Sequence, residues 1–352
     1  MPYSWDDDHD FTGNDGFSFQ DARKSYDNLT LPESKKSKTT GNASRNKKSK
    51  TAGIPSPPKK ARTYDDVAVA KSDSQVFYTY KNNFLKTDAL YPVIIGIDTT
   101  GSMAEWPKVF FDKLPLLYRE GVKYFPDCEI SFQAINDFES DGEDVAFQPA
   151  PFGKGSHLDE IIGKLLPYGG GGGQVTESYE IFAAYNSFLE APKAIIKPLA
   201  IILGDEKPFP YVPDKVCKYY EMGNTSTEEA FKRLHSKCDV FLVRKLYHNS
   251  IKEDKSIIDC WKKTALIKSE RILHIEDPRR VVDVILGILG IVTGKTGLFE
   301  KELVERQEPS QVKEVLTSIH RLKTSYHKDL SQKSVTSVTG KGNKSKGLTI
   351  DE

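Results

Sequence analysis

Cysteine is scarce and nowhere paired. The four in this chain, Cys128, Cys217, Cys238 and Cys260, form no CxxC motif among its 352 residues. That spacing argues against a zinc ribbon or a disulfide framework and fits reduced, buried thiols inside a cell. Long apolar runs are missing as well. The longest, Val281 to Val292, is 12 residues and contains Asp283, too short and too charged to span a bilayer. The opening MPYSWDDDHD is acidic and lacks an apolar core, so no secretory signal is expected. Among the 7 histidines no H-E-x-x-H occurs, and there is no G-x-S-x-G elbow, which removes two common hydrolase chemistries. A hydrophobic content of 38% is low for a wholly globular chain, so part of the length is expected to be disordered. The expectation is a soluble protein.

What is present is unevenly distributed. Net charge is zero, yet Met1 to Asp21 carries six aspartates and no Lys or Arg, with Trp5, Phe11, Phe17 and Phe19 between them. Such a segment cannot bury a core; it is either a solvated tail or a set of rings that docks into a partner. The sign then reverses. Residues 35–62 hold ten basic side chains and no acidic one, in three clusters: Lys35, Lys36 and Lys38; Arg45, Lys47, Lys48 and Lys50; Lys59, Lys60 and Arg62. In a Pro/Ser/Thr-rich context these suit an import receptor and nuclear location, or a nucleic-acid patch, or simply a solvated linker. Three clusters favour import over the salt-dependent, unspecific phosphate binding that lysines provide.

From about Phe77 strands and helices alternate. Expected strands are Val93–Ile97, Cys128–Asn136, Asp144–Phe147, Leu199–Leu203, Asp239–Val243 and Arg271–Ile275. Expected helices cover Met103–Lys123 (interrupted or started late by Pro107), Ser156–Leu166, Thr176–Glu190, Thr227–His235, Ile257–Leu266 and Pro278–Val292. This is the pattern of an α/β fold: a doubly wound, mainly parallel, Rossmann-like sheet with helices on both faces. The expected organisation is a disordered arm over 1–75, the α/β domain over 76–296, a helical extension over 297–330 and a disordered tail over 331–352. Leu303, Val312, Val315, Leu316, Ile319 and Leu322 form a stripe that would pack the extension back onto the domain.

The stretch YPVIIGIDTTGSM, Tyr91 to Met103, stands out. A buried strand ends in Asp98, Thr100 and Ser102, at spacing i, i+2, i+4. A carboxylate with two hydroxyls suits a hard cation such as magnesium, whereas zinc and copper prefer His and Cys. A hydroxyl-rich helix cap is the competing reading. Two further oxygen groups fall at comparable junctions. Thr176 follows the glycine run Gly169–Gly173, and Asp205 follows the strand LAIIL. In parallel sheets, sites form where strand C-termini meet helix N-termini.

This constellation resembles the von Willebrand factor A-type domain and its metal-ion-dependent adhesion site, over roughly Tyr91 to Thr293. Asp98, Thr100 and Ser102 match the family's Asp-x-Ser/Thr-x-Ser element, and Gly101-Ser102-Met103 is typical of its intracellular members. Asp205 matches the later aspartate. Thr176 is the weaker match, and Glu177 beside it could supply a carboxylate instead. The resemblance implies a Mg2+ (or Mn2+) ion held by hydroxyls, aspartates and water, with one position left for a carboxylate on a protein partner. Phe209 and Tyr211, on the loop after Asp205, would lie on the same rim and contact that partner or pack beneath their own loop. The rival readings are a nucleic-acid-associated protein that uses the basic arm, and a magnesium-dependent phosphatase with Asp98 as nucleophile. Thr100 stands where phosphatases of the haloacid-dehalogenase type need a second Asp, so binding is expected and catalysis is not.

Overall fold

A computed structural model describes residues 84–339, apart from 144, 163, 166–174 and 248–250. The acidic-aromatic segment, the basic clusters between Lys35 and Arg62, and the run Gly169–Gly173 lie outside the described residues.

The central sheet has six strands in the order β3-β2-β1-β5-β7-β8. They are β1 (Tyr91–Asp98), β2 (Cys128–Ile135), β3 (Phe147–Pro149), β5 (Leu199–Gly204), β7 (Asp239–Lys245) and β8 (Ile272–Ile275). All neighbours run parallel except β3, which is antiparallel to β2 at the edge. A two-stranded parallel ribbon, β4 (Thr176–Glu177) with β6 (Lys207–Pro208), sits apart from it. The chain leaves β1 for β2 on one side and returns to β5 on the other, so β1 and β5 flank the point where strand order reverses.

Period-two alternation sorts the apolar residues into two cores. Val93, Ile95, Ile97, Leu199, Ile201 and Leu203 face one core. Against it pack α1 (Glu105–Asp112), α2 (Leu114–Tyr124), α3 (His157–Ile162), α8 (Val281–Val292), α9 (Thr296–Arg306) and α10 (Pro309–Thr339). Ile94, Ala200, Ile202, Val240 and Leu242 face the other core. That one is covered by α4 (Tyr179–Asn186), α5 (Asp214–Tyr219), α6 (Thr227–Lys237) and α7 (Ile251–Lys263). The sheet is doubly wound, as the alternation of elements predicts. Gly96 lets α4 sit close: a Cβ there would stand 2.6 Å from the Phe182 ring.

Several expected boundaries move, each for a local reason. Met103–Lys123 is two helices broken at Lys113, because Pro115 enters the first turn of the second. The third strand is Phe147–Pro149 and not Asp144–Phe147; at an edge, Pro149 leaves no inward ladder bond unmade. Thr176 belongs to a strand, and the helix after it starts at Tyr179. Helix α5 had no expected counterpart. The extension is two helices, broken before Pro309, and α10 continues to Thr339, past the expected start of a disordered tail at Ser331. Leu303, Val315, Ile319 and Leu322 are buried in the first core, with Val312 and Leu316 packed against it.

Candidate metal centre

The register of β1 and β5 pairs Ile97 with Leu203. Asp98 and Asp205 therefore emerge side by side at the C-terminal edge of adjacent strands. Asp98 is fully buried. Its Oδ1 accepts from the Thr100 backbone N–H at 2.9 Å and the Thr100 hydroxyl at 2.6 Å. Its Oδ2 accepts from the Tyr179 hydroxyl. Ser102, exposed on the 3-10 turn Gly101–Met103, donates its hydroxyl to Asp205 Oδ1 at 3.0 Å. Residues 103 positions apart thus meet.

This disposes of the capping alternative for Thr100. It stands at the N-cap of the 3-10 turn, but its side chain accepts no N–H from that turn. The hydroxyls of Thr100 and Ser102 address carboxylates, not backbone donors.

Supporting residues hold the edge in place. The Thr99 hydroxyl donates to Asn136 Oδ1, and Ser178 N donates to the Asn136 carbonyl at 3.2 Å, tying the ends of β1 and β2 to the start of α4. Lys245 Nζ donates to the Ser102 carbonyl at 2.8 Å. Arg244, fully buried, pairs with Asp254 at 2.6 Å beside the Asp205 carbonyl. Gly204 is required here, since a Cβ would fall 2.2 Å from the Tyr179 hydroxyl oxygen.

Two more carboxylates line the same edge. Glu177 and Glu206 are 3% and 8% exposed, and the Oε2 of each has no hydrogen-bond partner. Burial, then the charge of Asp205, raises Asp98 above the usual carboxylate range. Burial raises Asp205 too, opposed by the Ser102 hydroxyl, Lys245 and Arg244. Glu177 is pushed up by burial and by Asp98 and Glu206, and Glu206 is pushed up to about 8 by burial and by Asp205 and Asp98. A buried carboxylate lacking both donor and countercharge is costly. A hard divalent cation would supply that charge, so the residues present fit such an ion.

Among the described residues no group of three or more His, Cys, Asp or Glu converges closely enough to hold a metal unaided. An ion here would take Asp98, Asp205, hydroxyls and water, the mixed oxygen shell that magnesium tolerates. Of the five candidate ligands, Asp98, Thr100, Ser102 and Asp205 are linked by hydrogen bonds in two pairs. Thr176 is half-buried in β4, next to Glu177. On the rim, Tyr211 is 67% exposed. Phe209 is half-buried; its N–H donates to Glu180 Oε2 at 3.1 Å and its carbonyl accepts from the Thr227 hydroxyl, so its backbone is anchored. Sequence reasoning missed Tyr179, whose role rests on a contact across 81 positions, and Glu206, which was visible as the residue after Asp205.

No protein-family model and no curated protein matches the chain. Solved structures similar to it include the pilus adhesin SpaC from Lactobacillus rhamnosus GG in an open conformation, at 12% identity and a TM-score of 0.41. That match covers 62% of this chain and 31% of the adhesin. Another is proximal thread matrix protein 1 from the mussel byssus, at 12% identity and a TM-score of 0.39, covering 58% of this chain and 48% of that one. The match spans less than two thirds of either protein's length. No helix among the described residues is long and apolar enough to cross a membrane.

Proposed function

We propose that this domain is a metal-dependent protein-interaction module, not an enzyme. It would bind a carboxylate of a protein partner through a Mg2+ or Mn2+ ion seated between Asp98 and Asp205. The observation that carries the reading is the meeting of Ser102 with Asp205 beside the Asp98–Thr100 pair, at the point where strand order reverses. The order of these residues and their strand-end placement also resemble the von Willebrand factor A-type adhesion site. Exposed Ser102 and Tyr211 leave the edge open to a partner. Against phosphoryl transfer, Thr100 takes the place of a second acid and is committed to Asp98. The basic clusters between Lys35 and Arg62 support nuclear location through an import receptor, in which case the module serves as adaptor or subunit of a nuclear complex.

The test is titration calorimetry of the full chain with magnesium, for wild type and Asp98→Ala. Wild type is expected to bind and Asp98→Ala to lose binding while keeping its circular dichroism spectrum. Equal binding by both would overturn the reading.

A further inference from the structure

Glu206 matches no part of the adhesion-site pattern and Glu177 enters it only as an alternative to Thr176, yet the fold buries both within reach of the charges of Asp98 and Asp205. Three sets of contacts place Glu177. β4 pairs with β6 so that Glu177 lies opposite Pro208, two residues after Glu206. The next residue, Ser178, is held by the Asn136 carbonyl, while its hydroxyl accepts from Phe138 N at 2.9 Å. The residue after that, Tyr179, reaches Asp98 with its hydroxyl. Glu206 directly follows Asp205 and is fixed through its carbonyl, which accepts from Trp261 Nε1 at 2.7 Å. Both side chains are more than nine-tenths buried, and each keeps one carboxylate oxygen without a partner. Folding an unpartnered carboxylate into an apolar setting is unfavourable; two beside a pair of buried aspartates call for a shared cation.

We propose that Glu177 and Glu206 form an outer carboxylate pair that accepts hydrogen bonds from the waters of a divalent ion seated between Asp98 and Asp205. Magnesium gives up its waters reluctantly, and carboxylates beyond the direct ligands orient such waters. The orphaned oxygens then gain donors without touching the metal, in keeping with the lack of a three-carboxylate cluster among the described residues. The ion is thereby retained by the chain itself before any partner arrives. This inference rests on the proposed metal site but concerns different residues.

The experiment is magnesium calorimetry of the full chain, with circular dichroism as the check of folding, for wild type, Glu177→Gln, Glu206→Gln and Glu180→Gln. Glu180 is the control, being fully buried with its Oε1 also unpartnered but its other oxygen held by Phe209 N. Glu177→Gln and Glu206→Gln are each expected to weaken magnesium binding by about tenfold or more. Glu180→Gln should leave the affinity unchanged. Wild-type affinity in both Glu177→Gln and Glu206→Gln would overturn the outer pair, while loss in Asp98→Ala alone would leave the metal site standing. Equal weakening in Glu180→Gln would also overturn it, and absence of binding by wild type would overturn both proposals.

Discussion

At the scale of single residues, Asp98 illustrates how much a site depends on its donors. Its buried carboxylate takes three hydrogen bonds, two from Thr100 and one from Tyr179. Each favours the ionised form against the burial that opposes it. Tyr179→Phe removes one donor and leaves Oδ2 dry, so the protein should lose about 1–3 kcal/mol, read by urea denaturation. Asp98 would also hold its proton more tightly, and the pH at which magnesium binds half-maximally should rise, measured by calorimetry across pH. The spacing of Asp98, Thr100 and Ser102 after a buried strand left an ion site and a helix cap open, and only the contacts turn the two hydroxyls toward carboxylates. Tyr179 was not legible in the sequence: nothing local marks a tyrosine in the first turn of a helix as the partner of an aspartate 81 positions earlier.

At the scale of elements, α9 and α10 close the first core over α8. Their clamp is polar as well as apolar. Arg306 on α9 donates to Glu120 on α2 at 2.9 Å and to Asp283 on α8 at 3.2 Å, and Gln307 adds a bond to Asp283 at 3.1 Å. Asp283 is fully buried, so removing the arginine strands a charge. Arg306→Ala should destabilise the domain by about 3 kcal/mol, the lower end of the range for broken buried pairs, because Gln307 and Arg280 remain near Asp283. Chemical denaturation measures this, and magnesium affinity should be unaltered because these bonds run among Glu120, Asp283, Arg306 and Gln307 and not to Asp98, Thr100, Ser102 or Asp205. The apolar stripe from Leu303 to Leu322 predicted that the extension packs back. The polar clamp escaped prediction, since Asp283 interrupts an otherwise apolar run and its partners come from elements far apart in sequence.

For the whole molecule, the carboxylate edge couples protons to stability. Glu206 is raised from 4.5 unfolded to about 8 folded. Between those values the folded state binds the extra proton, so this contribution is fully present below pH 4.5 and is lost as pH rises through about 8. His274 acts in the opposite sense. Burial and Arg244 lower it from 6.5 to about 4, so its contribution is present above pH 6.5 and lost as pH falls through about 4. Above pH 6.5 only the carboxylate effect operates between these two groups. The melting temperature of EDTA-treated protein should therefore fall as pH rises from 6.5 to 8. Saturating magnesium should cancel that fall, because the ion replaces the protons and stabilises by about 2.7 kcal/mol at one hundred times its Kd. Thermal denaturation at both pH values, with and without magnesium, provides the check.

The sequence by itself determined the doubly wound α/β class, because continuous apolar strands alternating with amphipathic helices can be buried in few other ways. It also determined which residues end the strands with oxygen groups, since the two-residue period and the turn residues set where each strand stops. Only the tertiary structure decided that β1 and β5 are neighbours, and that Ser102 therefore reaches Asp205. It alone made Thr100 a hydrogen-bond partner of Asp98, half-buried Phe209 while leaving Tyr211 exposed, and buried Glu177 and Glu206 with the Oε2 of each unpartnered. The physical reason is common to all of these. Strand order and ribbon pairing are long-range choices made by packing, and a side chain's neighbours across the sheet leave no periodic trace in the chain.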